Sequence, residues 1–288
     1  MGLKGTKQVT LSRSKGGTVA LVIILIIACA FTALPLVYSI IQSLKPVGEI
    51  FMYPPRFYVI NPTFENFSQI YSLIGSLDVP FTRYLFNSLF VTVVGTFMYL
   101  IIASLAGYSL AKGQFKGKEI ISTIIVLALL FRPEVTAIPQ YMIVSGLGMT
   151  DSYFSQLLPP LAGTMGVFLI KQFVISGVPD SVLEAARMDG AGELKIFAKI
   201  VLPSIKPAVM TVLIFTFQAV WNGSGTRQYI FSEGLKDLPT ALSTISGGGL
   251  ARAGATAAVS VILMLPPILV FLISQRSVME TMTHSGLK

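Results

Sequence analysis

Uncharged apolar runs dominate the chain. Residues 18–44, 84–111, 152–170, 207–226 and 253–275 contain no Asp, Glu, Lys or Arg. A helix needs about 20 apolar residues to cross the hydrocarbon core of a bilayer, and each run qualifies or nearly does. A sixth candidate is divided. Residues 120–131 are uncharged, Arg132 and Glu134 intervene, and 135–150 are uncharged again. The pattern predicts an all-α integral membrane protein with six spans within residues 18–275. An N-terminal segment, 1–17, and a tail, 276–288, flank them. The polar interruption places a possible helix end at Phe131, with Pro133 to Pro139 as a bent exit segment.

The first run follows Lys4, Lys7, Arg13 and Lys15. It is too long for the apolar core of a signal peptide and no small-residue cleavage site follows it, so a retained span is expected. Basic residues set the direction of threading, because cytoplasmic loops hold an excess of Lys and Arg. With the N-terminus inside, fourteen of the 21 basic residues fall in cytoplasmic segments and seven outside. The short turn from Lys112 through Lys116 to Lys118 is the sharpest local signal. Both termini are expected in the cytoplasm.

Composition agrees with this threading. Hydrophobic residues make up 53% of the 288 and charged residues only 12%. A soluble domain carries about twice that charged fraction. The net charge of +8 then belongs to membrane orientation, since no basic patch interleaved with aromatics points to nucleic acid. One cysteine, Cys29, and one histidine, His284, exclude a disulfide and a Cys/His metal or catalytic cluster. The turn Gly113 to Glu119 has glycines one residue too close for a phosphate-binding loop, and Glu119 stands where Ser or Thr would hold magnesium. Five spans lack the intramembrane carboxylates that ion-coupled carriers use. A secondary carrier or channel is therefore the weaker alternative.

Two connections are long. The outer one, 45–83, holds five prolines and reads as ordered but irregular. The inner one, 171–206, holds five basic and four acidic residues and predicts two short helices between spans four and five. Ser181 and Glu184 have the spacing of a capping box for the first. Gly190 and Gly192 break it, and the second runs from about Glu193 to Leu202, before Pro203.

This inner segment carries a motif. It reads Glu184-Ala185-Ala186-Arg187-Met188-Asp189-Gly190, then nine residues, then Ile200-Val201-Leu202-Pro203. The complete spacing resembles the EAA loop of ABC importer membrane subunits. Flanking residues from Pro179 to Gly192 are similar to the carbohydrate-uptake branch, the maltose-type permeases. So are Tyr84-Leu85-Phe86-Asn87-Ser88, Ala106-Gly107-Tyr108, Phe217-Gln218-Ala219-Val220-Trp221-Asn222 and Leu238-Pro239-Thr240-Ala241-Leu242. The similarity covers nearly the whole chain and points to the smaller of the two permease subunits. The chain departs from the family at Arg132, where an apolar residue is common, at Gly223, where an acid often stands, and in the tail after Met282.

The resemblance implies a non-catalytic subunit of an ATP-driven sugar or oligosaccharide importer in the bacterial cytoplasmic membrane. The alternative is the same machinery for a peptide or amino acid. Implied partners are a second homologous permease, two ATPase subunits and an extracytoplasmic solute-binding protein, with lipid around the spans. ATP and magnesium would act at the ATPase subunits, and this chain would bind no cofactor. The implied ATPase-coupling residues are Glu184, Ala185, Ala186, Asp189, Gly190, Leu202 and Pro203. On the fifth span Gln218, Trp221 and Asn222 share adjoining turns. They are candidates for the substrate path, with a membrane-interface role for Trp221 and helix bridging for the amides as the competing roles.

Overall fold

A computed structural model describes residues 15–75, 79–223, 227–247, 249 and 252–285. The side chains of Lys15, Ile74, Gly75, Pro133, Arg227, Thr244 and 276–285 are not described. Lys4, Lys7 and Arg13, the expected end of the fifth span at Thr226, and Lys288 therefore lie outside the described residues, as does the side chain of His284.

Among the described residues the fold is entirely helical. Helix α1 (Lys15–Ser43) leads through the single turn α2 (Val47–Ile50) to α3 (Glu65–Gly75) and the 32-residue α4 (Phe81–Lys112). Then come α5 (Lys118–Ala128), α6 (Pro133–Gly146), α7 (Tyr153–Leu161) and α8 (Thr164–Gly177). The charged connection forms α9 (Asp180–Met188), α10 (Glu193–Ile196), a π-turn (Phe197–Val201) and α11 (Leu202–Ser204). Helices α12 (Lys206–Trp221), α13 (Leu238–Ser246) and α14 (Ala253–Ser285) complete the chain.

Among the described residues four segments are long and apolar enough to cross a membrane: Gly16–Ser43, Phe81–Lys112, Tyr153–Gly177 and Ala253–Gln275. A fifth is the pair Glu193–Ser204 and Lys206–Trp221, bent by 81°. The divided third run is two helices rather than one. α5 stops at Ala128, three residues before the expected Phe131, and the expected bent segment is instead the 14-residue helix α6. Pro133 causes this, because a residue before proline is driven out of helical geometry. Arg132 accordingly sits at φ −77°, ψ 147°. The outer connection also holds more order than expected, namely α2 and the 11-residue α3.

Helix α4 organises the rest. Small residues on its buried face (Ser88, Gly95, Ala103, Ser104, Gly107) let neighbours approach closely, which is how helices associate where burial from water gives no drive. A Cβ on Gly107 would sit 2.7 Å from the Ile170 side chain of α8 and 3.0 Å from the Lys171 backbone nitrogen. On α8, a Cβ on Gly166 would meet the Tyr99 hydroxyl at 2.5 Å and Val212 at 2.8 Å.

Prolines leave carbonyls without donors, and side chains supply them. Pro267 lacks the N–H that would serve the Leu263 carbonyl. The Trp221 indole N–H donates to that oxygen instead, at 2.9 Å. Pro159 and Pro160 lie inside α7, which ends at Leu161 and gives way to α8. The Tyr99 hydroxyl bridges the gap, donating to Gly163 O (2.8 Å) and accepting from Gly166 N (2.9 Å).

At the Phe81 end of α4, the irregular strap 229–238 is held by side chains. Asn87 donates to the Gly234 and Lys236 carbonyls, both at 2.9 Å, and accepts from the Tyr153 hydroxyl at 2.7 Å. Gln156 donates to Leu235 O at 3.0 Å, and Ser88 Oγ accepts from Leu238 N at 2.6 Å. The Asp151 carboxylate accepts from the Phe231 and Ser232 amides at 3.0 and 2.8 Å.

Asn87→Leu strands two carbonyls and a tyrosine hydroxyl in a fully buried site. Each stranded group costs about 1–3 kcal/mol. Thermal unfolding in detergent is expected to show a loss of roughly 3 kcal/mol or more. Ser68→Ala, which removes only a local bond to the Glu65 carbonyl at an exposed site, serves as the near-silent control.

Candidate coupling loop and adjoining cavity

The charged connection 178–205 is seated on the core, not draped over it. Leu183, Ile196, Phe197, Val201 and Ile205 are buried in one cluster with Tyr99, Ala103 and Tyr108 of α4 and Val167, Ile170 and Val174 of α8. Two polar anchors add to this. Lys112 pairs with Asp180 at 2.7 Å. Glu193 accepts from the Tyr108 hydroxyl and from Arg187, each at 2.7 Å. The anchors on α4 are not signalled locally by the sequence, since Lys112 and Asp180 lie 68 residues apart and Tyr108 and Glu193 85.

The expected capping box is absent. Pro179, at φ −63°, ψ 141°, occupies the N-cap, and no side chain caps α9. Asp180 becomes the first helical residue and turns to Lys112, which leaves Ser181 inside the helix. Glu184 is consequently free of that role. It is exposed and makes no hydrogen bond or ion pair among the described residues.

Gly190 ends α9 as a Schellman turn. Ala191 N donates to Ala186 O and Gly190 N to Arg187 O, both at 3.0 Å, with Gly190 at φ +79°. Ala186 and Ala191 pack together against the core, the apolar contact that accompanies this motif. A Cβ on Gly190 would meet nothing within 4 Å in the chain, so the space in front of it is open.

The second helix differs from its expected form. It does not stop at Leu202 before Pro203. α10 passes into the π-turn 197–201, and α11 carries Leu202 and Pro203. Pro203 and Pro207 each remove an amide donor, and the chain turns sharply at Ile205 before α12. Leu202 is half-buried and Pro203 exposed.

Glu184, Ala185, Asp189 and Gly190 are thus each exposed, and Ala186 is half-buried. Residues overlooked in the sequence are exposed in the same segment. Met188 is 88% exposed and Leu194 77%. Two large apolar side chains in a charge-rich stretch were the available signal.

The three candidates on α12 separate. Trp221 is only 1% exposed, stacked on Phe217 and bonded to α14. Its ring is taken up by this packing and its indole N–H by the Leu263 carbonyl. Gln218 and Asn222 remain exposed. The neighbouring face of α12 instead contributes Val212, Phe215, Thr216, Ala219 and Val220 to a cavity of about 600 Å³ shared with α4, α6, α7 and α8. Among the described residues no three His, Cys, Asp or Glu side chains converge on a metal position.

Comparisons with known proteins agree with one another. The family model described as binding-protein-dependent transport system inner membrane component matches residues 101–283. The arabinooligosaccharides transport system permease protein AraQ of Bacillus subtilis is 29% identical over 255 residues, 88% of this chain and 90% of that protein. The sn-glycerol-3-phosphate transport system permease protein UgpE of Yersinia enterocolitica is 28% identical over 260 residues, 88% of this chain and 92% of the relative. Among solved structures, a bacterial ABC transporter involved in import of the acidic polysaccharide alginate has a chain with the same fold. The TM-score is 0.76 at 22% identity, covering 93% of this chain and 99% of that one.

Asp180 and Glu193 are both held below the ordinary carboxylate range, by the hydrogen bond from Lys112 and foremost by that from Arg187, respectively. A carboxyl with a lowered folded pKa contributes stability that is complete above its unfolded value and lost as pH falls through the lowered one. The loop is therefore expected to hold from neutral pH down to about 4 and to loosen below that. Hydrogen exchange of amides 189–196, corrected for intrinsic rates, should rise only in that acid range. Arg187→Ala should raise it already at neutral pH and weaken the acid step.

Proposed function

The chain belongs to the family of binding-protein-dependent transport system inner membrane components, and we propose that it forms half of the translocation path of a sugar or oligosaccharide importer. One observation carries the mechanism. A rigidly seated loop presents unpartnered Glu184, open space at Gly190 and apolar Met188 and Leu194. That surface suits an ATPase subunit: apolar side chains anchor, and Glu184 offers a charge-assisted contact. The carbohydrate reading rests on the relative whose name specifies arabinooligosaccharides; the sn-glycerol-3-phosphate relative is named for a phosphorylated polyol. ATP hydrolysis belongs in this reading to two partner ATPases, which hold the ATP and magnesium. A second permease supplies the other half of the path, and an extracytoplasmic binding protein delivers the solute.

In this reading the chain crosses the bacterial cytoplasmic membrane six times, with α5 and α6 together forming the third crossing and both termini inside. Coupling then follows from the shared core. Motion of the ATPases pushes on α9, and the buried contacts of Leu183, Phe197 and Val201 pass that push to α4 and α8. Such packed interfaces switch between discrete arrangements and do not deform continuously.

Two experiments test this. Cysteines placed at Lys116 and Lys195 should react only from the cytoplasmic side, and cysteines at Arg56 and Lys236 only from outside. Labelling at Lys116 from outside overturns the topology. Separately, Gly190→Asp should insert normally, because aspartate tolerates a positive φ and its side chain meets open space. Transport should fail and the ATPase should dissociate in detergent. Glu184→Ala should weaken ATPase retention by about tenfold, the loss of one charged contact, and Glu184→Gln by less. Normal coupling in Gly190→Asp sinks the docking role of the loop.

A further inference from the structure

The connection between α1 and α3 is braced from within and turns its apolar side chains outward. Lys45 and Glu49 stand at its base, and both are buried. A buried charge needs polar partners, and these two find theirs in the loop's own backbone. Lys45 Nζ donates to the Arg56 carbonyl, and the Glu49 carboxylate accepts from Ile60 N at 2.9 Å. Thr63 N donates to Leu44 O at 2.9 Å and closes the loop. Asn66 of α3 ties it to α1, donating to Ser43 O and Lys45 O at 2.8 and 2.7 Å. Gly254 of α14 lies against the same Asn66, where a Cβ would fall 2.2 Å from Oδ1.

With these charges turned inward, the loop exposes Phe51, Met52, Tyr53, Phe57, Tyr58 and Phe64. Tyr53 is 92% exposed and Phe57 73%. Glu49 is the only acid from residue 45 to 64. One cation remains available. The Arg56 guanidinium lies 6.0 Å from the Tyr58 ring centroid and takes part in none of the ion pairs among the described residues.

The helix that leads into the loop fixes its depth. Gly16–Ser43 has 28 residues. At 1.5 Å per residue it is about 42 Å long, which matches a bilayer of about 40–45 Å including headgroups. No residue from Gly16 to Ile40 is buried, so the helix is open to lipid along that length. Tyr38 stands about 7 Å inward of Ser43, where headgroups give way to hydrocarbon. The Phe57 ring packs on Tyr38, with centroids 6.2 Å apart at 58°. The loop therefore folds back along α1 and brings its aromatic side chains down to that boundary.

Building on the reading of α1 as a membrane crossing, we infer that residues 51–64 form an anchor in the outer phospholipid interface. Phe57 and Tyr58 lie at the boundary of headgroups and acyl chains, where amphipathic and aromatic rings are favoured. Arg56 reaches outward beside them and pairs with a lipid phosphate. A soluble partner that comes and goes would leave these rings in water between visits, whereas lipid covers them continuously with the open face of α1. Through Asn66 and Gly254 the anchor holds α1 and α14 at one common depth.

The test uses the assembled complex in phosphatidylethanolamine–phosphatidylglycerol nanodiscs, with the other subunits free of cysteine. A nitroxide is attached at native Cys29, which is exposed midway along α1. With Cys29→Ser as the background it is attached singly at Phe57→Cys, Tyr58→Cys or Lys116→Cys. Collisions with oxygen, which concentrates in lipid, are compared with collisions with a water-soluble nickel chelate. The ratio of oxygen to nickel collisions should be several-fold higher at Phe57 and Tyr58 than at Lys116, and highest at Cys29. Arg56→Gln should raise nickel access at Phe57, and Arg56→Lys should leave it unchanged. Nickel access at Phe57 and Tyr58 equal to that at Lys116 puts the loop in water and overturns the anchor. Few collisions with either reagent put it under protein and overturn the anchor in favour of a protein partner. Indifference to Arg56→Gln overturns the phosphate contact. A Cys29 probe that shows no hydrocarbon depth overturns the crossing by α1 itself, so failure of that reading is distinguished from failure of the anchor alone.

Discussion

A backbone carbonyl that loses its helical donor in an apolar surround must find another, because no water is there to serve it. This chain puts prolines inside α1, α6, α7 and α14, and the fold is arranged around the consequences. Tyr99 and Trp221 each spend their only strong donor on a carbonyl at or beyond a proline break. Asn87 does the same for a strap whose regular structure is limited to single 3-10 turns. Aromatic and amide side chains at these places are structural before they are anything else.

That explains which parts of the molecule were legible from sequence. The long uncharged runs named α1 and α4 to within three residues and the start of α14, which continues ten residues past the expected end at Gln275, because length and lack of charge are local properties. The exposed surface of α9 followed from a motif with fixed spacing. Trp221 misled because its role depends on a carbonyl 42 residues away. Ser181 misled because Pro179 and Lys112 together moved the helix start by two residues, and only one of those is nearby. The third run was ambiguous for a physical reason. Charge argued against a span, apolarity argued for one, and the resolution, two short helices, satisfies both.

The two ends of the bundle are held differently. At the Lys112 end, apolar burial dominates and the polar anchors Asp180 and Arg187 are exposed. At the Phe81 end, a second apolar cluster around Trp221 and Leu242 is capped by buried side-chain to backbone bonds centred on Asn87. Such bonds are directional and easily made unsatisfactory by a shift of one ångström. The strap end is accordingly fixed by the geometry of individual bonds, and the loop end by close apolar packing.

The seam between α4 and α8 bears on how such a protein diversifies. Gly107 and Gly166 bring one helix within van der Waals reach of the other's side chains and, at Lys171, of its backbone. Any larger residue at either position would have to push α8 away, and α8 leads directly into the loop that meets other subunits. Drift along that seam is closed. The lining contributed by α6 and by the outward face of α12 is free of this restriction. Substitutions on those two surfaces would therefore leave the approach of α8 to α4 intact.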